Sequence, residues 1–150
     1  MVVAGGVLVA VGEGGLFRVS RDGGQTWEKR DLDGEVSLSA IACVEVSGAA
    51  RLVVAGQKAG RTVAYYTDSP DGSPVAAAVT ATSRPRAVAG SGTRGQCVMV
   101  GDGGLILTSD RGEVWARASS GVSADLRGVV WGGGRWVAVG ADSTVLTSTD

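Results

Sequence analysis

Four times along this chain a valine-rich run closes on a glycine: Val9-Ala10-Val11-Gly12, Val53-Val54-Ala55-Gly56, Val98-Met99-Val100-Gly101 and Val137-Ala138-Val139-Gly140. A short polar turn follows each run, and then a second β-prone segment. These are Leu16-Phe17-Arg18-Val19, Thr62-Val63-Ala64-Tyr65-Tyr66, Leu105-Ile106-Leu107-Thr108 and Thr144-Val145-Leu146-Thr147. Each leads to a Ser/Thr-x-Asp step whose aspartate is Asp22, Asp71, Asp110 or Asp150, with spacings of 49, 39 and 40 residues. Self-similarity at a fixed period marks units that cannot bury an apolar face alone and must lean on their neighbours. The runs are short, β-branched and bounded by glycine, so they read as strands. No helical period is sustained.

Repeats of about forty residues carrying four short strands are expected to form β-propeller blades. The expected fold is all-β, with about three full four-stranded blades plus most of a fourth and an incomplete ring in one chain. The expected blades are residues 1–33, 34–83, 84–122 and 123–150. The longer first step is read as loop insertion, for instance at Ser47-Gly48-Ala49-Ala50. The two ends match each other: Val2 to Asp22 align without a gap onto Val130 to Asp150 at a constant offset of 128. The apolar N-terminus is therefore strand material. It also lacks the positive region and cleavage site of a signal peptide. A ring left open would be completed by a longer chain, by further copies or by a neighbouring chain.

Composition narrows the functions. Of 150 residues, 44% are hydrophobic and 25 are glycine, which suits short strands joined by tight turns. The 14 basic residues are scattered and balanced by 15 acidic ones, so no nucleic-acid partner is expected. No apolar stretch is long enough for membrane insertion as a helix. With no histidine in the chain, His-based triads and His-ligated metals are excluded. Cys43 and Cys97 lack metal-ligand spacing and read as buried thiols, with a disulfide as the alternative. No cofactor or metal site is expected.

The turn after the third strand carries a motif. Ser20-Arg-Asp22-Gly-Gly24-Gln-Thr-Trp27 and Thr108-Ser-Asp110-Arg-Gly112-Glu-Val-Trp115 both read Ser/Thr-x-Asp-x-Gly-x-x-Trp. Ser69-Pro-Asp71 opens a degraded version, and Ser148-Thr-Asp150 is the first half of another. The carboxylate can accept backbone N–H groups at the head of the hairpin, the glycine supplies positive φ, and the tryptophan covers the reversal. That is a structural role. The glycine-rich turns Gly12-Glu-Gly14-Gly15 and Gly101-Asp-Gly103-Gly104 precede no helix, so they are hairpin turns and not phosphate loops.

These motifs resemble the Asp-box, or bacterial neuraminidase repeat, family, and most nearly its photosystem II stability/assembly-factor-like repeats. The resemblance implies that Asp22, Asp71 and Asp110 lie away from the ligand. It places the turns between second and third strands, and the loops between blades, on the ligand side. Candidate contact residues are then Glu13, Gln57, Lys58, Asp102 and Asp142 in the turns, and Asp31, Asp33, Arg84, Arg86, Asp125 and Arg127 in the loops. The same family includes sialidases, but Phe17-Arg18-Val19-Ser20 runs straight into the box and lacks the proline expected of their arginine segment. Glu28, Glu35, Glu45 and Glu113 form no acid–base constellation of the kind glycoside hydrolysis needs. The function expected is a non-catalytic binding or assembly module of extracellular or virion-surface type, recognising glycans or a protein. The alternatives are a glycosidase fragment whose catalytic residues lie elsewhere, and an assembly factor for a membrane complex.

Overall fold

The computed structural model describes residues 1–149, so the box aspartate expected at Asp150 lies outside the described residues. The chain folds into four antiparallel meanders in which strand order follows chain order. Blade 1 holds β1 (Val2–Ala4), β2 (Val7–Val11), β3 (Phe17–Ser20) and β4 (Glu28–Lys29). Blade 2 holds β5 (Ser37–Val46), β6 (Ala49–Lys58), β7 (Arg61–Thr67) and β8 (Val75–Ala76). Blade 3 holds β9 (Pro85–Gly90), β10 (Cys97–Gly101), β11 (Leu105–Ser109) and β12 (Ala116–Ala118). Blade 4 has β13 (Leu126–Gly132), β14 (Arg135–Gly140) and β15 (Val145–Ser148). The only helical turns among the described residues are 3₁₀ turns at Gly92–Arg94 and Asp102–Gly104.

The first strands of successive blades pack on one another, β5 on β9 and β9 on β13, which is the radial arrangement of a propeller. The four blades do not close a ring. Blade 2 corrects one expectation: its extra residues are not a loop insertion. They lengthen β5 and β6 to ten residues each, and the two strands are joined by the tight turn Ser47-Gly48, both at positive φ.

Period-two alternation gives each sheet two apolar faces, a forward face toward the next blade and a rear face toward the previous one. Val9, Phe17 and Val19 on the forward face of blade 1 meet Ile41, Leu52 and Val54 on the rear of blade 2. Val44, Val53 and Ala55 on the forward face of blade 2 meet Met99, Leu105, Leu107 and Trp115 of blade 3. Val98 and Val100 of blade 3 meet Leu126, Trp136 and Ala138 of blade 4. Tyr65 joins the first of these interfaces, while Tyr66, on the opposite side of β7, lies under the Arg51 guanidinium at 4.7 Å. Both cysteines are free; Cys97 is buried, and Cys43 is only partly so.

One end of the blades carries the box turns, and the three are built differently. In blade 1 Asp22 accepts the Thr26 N–H at 2.9 Å and the Thr26 hydroxyl at 2.5 Å, while Ser20 Oγ accepts the Gly24 N–H at 2.9 Å. In blade 3 the Gly112 N–H goes to Ser109 Oγ at 2.8 Å, not to Thr108, and Asp110 is exposed. In blade 2 Ser69 Oγ accepts the Asp71 N–H at 3.1 Å, and the Asp71 carboxylate pairs with Arg21 of blade 1. At the same end Arg51, with a side chain only 9% exposed, pairs with Asp68 and reaches across to Glu113 of blade 3, each at 2.5 Å. Ala78 and Val114 form a parallel bridge beside this clasp. The box end is therefore where blades are stitched together.

Candidate binding face

The opposite end gathers the turns between second and third strands and the crossings between blades. Each of those turns contains two consecutive residues at positive φ: Gly14-Gly15, Ala59-Gly60, Gly103-Gly104 and Asp142-Ser143. Two positive-φ residues in succession give a turn whose twist matches its strands, and in blade 2 Ala59-Gly60 is the whole loop. Asp142, at φ 54°, belongs to this set and projects from an exposed turn.

The glycine that closes each valine run has its own reason. Opposite Gly56, Gly101 and Gly140 the first strand carries one extra residue, a β-bulge, at Ser39, Arg86 and Arg127 respectively. The bulge drives the first-strand backbone against the glycine. A Cβ at Gly56 would sit 2.4 Å from Ser37 O, at Gly101 2.1 Å from Arg84 O, and at Gly140 2.2 Å from Asp125 O. Bulges re-aim side chains and are enriched beside functional sites. Here three successive blades present Ser39, Arg86 and Arg127 from the innermost strand, at the same height.

Neighbouring charges are ordered around them. Arg86 holds Asp102 in a two-pronged pair at 2.6 and 3.0 Å, which raises the arginine's pKa. Lys58 bonds Asp33 at 2.5 Å and Glu35 at 3.3 Å; the Asp33 contact, then the Glu35 one, raises its pKa, and Lys58 lowers that of Asp33. Asp125 accepts the Gly103 N–H at 2.9 Å and so ties the blade 4 entry to the blade 3 turn. Ser39 Oγ donates to Pro85 O at 2.7 Å, joining blades 2 and 3. Asp31 accepts the Phe17 N–H at 3.1 Å and pairs with Arg18, which locks that arginine onto the blade. Glu13, Arg84, Arg127 and Asp142 are exposed and have no side-chain partner among the described residues. The face thus combines preorganised pairs with open guanidinium groups from Arg84 and Arg127.

Lys58, Asp102 and Asp125 contact neighbouring loops or turns on this face; Asp22, Asp71 and Asp110 sit at the other end. Ser39 is absent from the sequence reading. Its signal was the glycine at the end of the second strand, which faces a bulge in the first. Among the described residues no group of three His, Cys, Asp or Glu side chains converges on a metal position.

No family model matches the sequence, and no curated protein matches it. Solved structures do match. The structure of YCF48 bound to D1 peptide superposes at a TM-score of 0.67 over 93% of this chain and 45% of its own, with 22% identity. YCF48 from Cyanidioschyzon merolae gives 0.67 over 95% and 49%, at 19% identity. A Nidogen/Laminin complex gives 0.67 over 95% and 57%, at 14% identity. The GH74 enzyme of Niastella koreensis gives 0.62 over 91% of this chain but only 20% of its own, at 17% identity. At these identities the likeness establishes the fold, that of propeller blades. The chain spans about half the length of the first three.

Proposed function

We propose that this chain is a non-catalytic binding or assembly module that takes an acidic, extended stretch of a protein partner on its turn face. The observation that carries this is the row of bulged first-strand residues, with Arg84 and Arg127 left open beside already satisfied ion pairs. Fixed, prepaired neighbours lower the ordering cost of binding, and open guanidinium groups suit carboxylates. Two of the similar structures, YCF48 bound to D1 peptide and the Nidogen/Laminin complex, hold a peptide or protein partner, which supports this class of ligand. The glycosidase alternative has less support. Asp33, Glu35, Asp102 and Asp125 are engaged in pairs or backbone contacts, and the open carboxylates Glu13 and Asp142 lie on blades 1 and 4, whereas hydrolysis needs a neighbouring pair of carboxyl groups free to move protons. We assign the box turns, of Asp-box type, a structural role.

Titration of labelled acidic and basic peptides tests the reading. Acidic peptides are expected to bind with an affinity that falls with salt, and the double substitution Arg84→Glu, Arg127→Glu is expected to abolish binding. Equal binding of both peptide classes, or none, contradicts the proposal, and a glycan array that lights up moves the ligand to carbohydrate.

We further propose that another blade covers the forward face of blade 4. Val130, Val139 and Val145 are exposed there and correspond, at the offset of 128, to Val2, Val11 and Phe17, which lie on the covered forward face of blade 1. That blade comes from the same protein or from a second copy. Light scattering on the 150-residue chain distinguishes the sources, since a stable monomer excludes the second copy.

A further inference from the structure

We propose that the rim cleft between blades 1 and 2 is a docking site for an extended segment of a partner protein that carries an acidic residue two positions before an aromatic one. The cleft measures about 550 Å³, and Lys29, Arg30, Asp31, Leu32, Ser73 and Pro74 line it. Both of its walls are internal segments of the chain.

The junction between blades 2 and 3 shows what such a place accepts. Just past the fourth strand of blade 2, the Ala77 N–H goes inward to Ala64 O at 2.9 Å, and both backbone groups of Ala78 face the next blade. The Ala78 N–H donates to Glu113 O at 2.8 Å, and its carbonyl accepts the Trp115 N–H at 2.9 Å. Glu113-Val114-Trp115 thus lies along residue 78 as a short parallel bridge, with the Trp115 ring buried.

Blade 1 offers the same edge without the bridge. Its Arg30 N–H goes inward to Phe17 O at 2.9 Å, the counterpart of the Ala77 bond, so Asp31 stands where Ala78 does. The Asp31 backbone has no hydrogen-bond partner among the described residues. Pro74 is the reason. It immediately precedes the fourth strand of blade 2, as Trp115 immediately precedes that of blade 3. A proline has no N–H to give the Asp31 carbonyl, and its ring is too small to close the gap.

Open backbone groups at a strand edge suit an added extended segment, and the pockets beside them supply selectivity. Charge selects further. Where the filled junction has Ala76 and Ala77, the cleft has Lys29 and Arg30. Lys29 is 73% exposed and pairs only with Asp31, at 3.3 Å. A carboxylate at the place of Glu113 and an aromatic ring at the place of Trp115 suit these cations, the ring through its face. The cleft is at the rim, apart from Arg84 and Arg127, so this site and the proposal for the turn face stand or fall separately.

The test uses the 150-residue chain, labelled for amide NMR, and a capped synthetic peptide with the sequence of residues 112–116. Saturable binding is expected, with shifts centred on Asp31, Leu32 and Ser73. The Trp115→Ala peptide is expected to bind at least tenfold more weakly, and the Glu113→Lys peptide at least threefold. In the protein, Pro74→Trp fills the cleft and is expected to abolish binding. Lys29→Glu, at an exposed position, is expected to weaken it at least threefold with circular dichroism unchanged. Neither protein variant is expected to alter the binding of acidic peptides that depends on Arg84 and Arg127. Absence of saturable binding, equal affinity of either altered peptide, or shifts centred on the turn face or on Ala78 would overturn the site.

Discussion

The box turns of blades 1 and 3 share a motif and an indole bond, yet differ in burial. Trp27 and Trp115 each donate the indole N–H to the glycine three residues earlier, at 3.1 Å in both. Trp27 is nevertheless 39% exposed and Trp115 only 5%. The motif sets the ring's direction, toward the rear of its blade; burial comes from the blade behind. Blade 2 stands behind Trp115, and Gly112 lies so close to Val53 that an added Cβ would come within 2.7 Å of its methyl. The repeat is thus a local device whose energetic value depends on its neighbour, as expected for a chain whose stability resides in interfaces between units.

The largest effect expected from this contrast is at the tryptophans. Trp115→Ala should cost about 3–5 kcal/mol in urea unfolding, and Trp27→Ala about 1 kcal/mol or less. Equal costs would break the comparison. Next come the glycines that close the valine runs. Gly101→Ala drives a Cβ into the Arg84 carbonyl and should cost about 2–3 kcal/mol. Gly12→Ala meets only the Leu16 side chain at 3.7 Å or more and should change the midpoint little. Smaller again is Arg51→Ala, expected to cost about 1–2 kcal/mol through lost bonds to Asp68, Glu113 and the Arg111 carbonyl. Arg21→Ala, in an exposed pair, should leave thermal unfolding unchanged within error.

The smallest effect is electrostatic and confined to acid. The Thr26 hydroxyl first, then the Thr26 N–H and the Ser20 hydroxyl, hold Asp22 down to about 2 from its ordinary 3.8. A folded-state pKa below the unfolded one contributes stability that is complete above about pH 4 and disappears as pH falls toward 2. Asp22→Asn should therefore flatten the stability profile between those limits and leave its slope above pH 5 unaltered. An unchanged acid limb would contradict the assignment.

Most of the architecture is legible in the sequence because the repeats fix it. Runs ending in glycine, short polar turns and box motifs recur at blade spacing, and the alternation within runs such as Val9-Ala10-Val11 assigns the two faces of each sheet. What is not legible depends on contacts between units. Asp22, Asp71 and Asp110 occupy like positions, but Asp22 closes its own turn, Asp71 accepts arginines from the blade before, and Asp110 is exposed while Ser109, in place of Thr108, takes the glycine N–H. The candidate face divides in the same way. Lys58, Asp102 and Asp125 can be placed on it by topology. Their engagement with Asp33, Arg86 and the Gly103 amide is a property of loops meeting in space. Ser39 escaped notice because a bulge in one strand is announced only by a glycine in the next. In blade 2 the extra length lies in paired strands, which composition does not distinguish from a glycine- and alanine-rich loop.

The account depends on blades leaning forward face to rear face, and the Val53–Trp115 contact is where that claim is most exposed. A double-mutant cycle using Val53→Ala and Trp115→Ala measures it directly. A coupling of about 1 kcal/mol or more is expected if the two side chains share an interface between blades 2 and 3. Costs that add within about 0.3–0.5 kcal/mol would show that they do not meet, and would contradict the radial stacking of these blades.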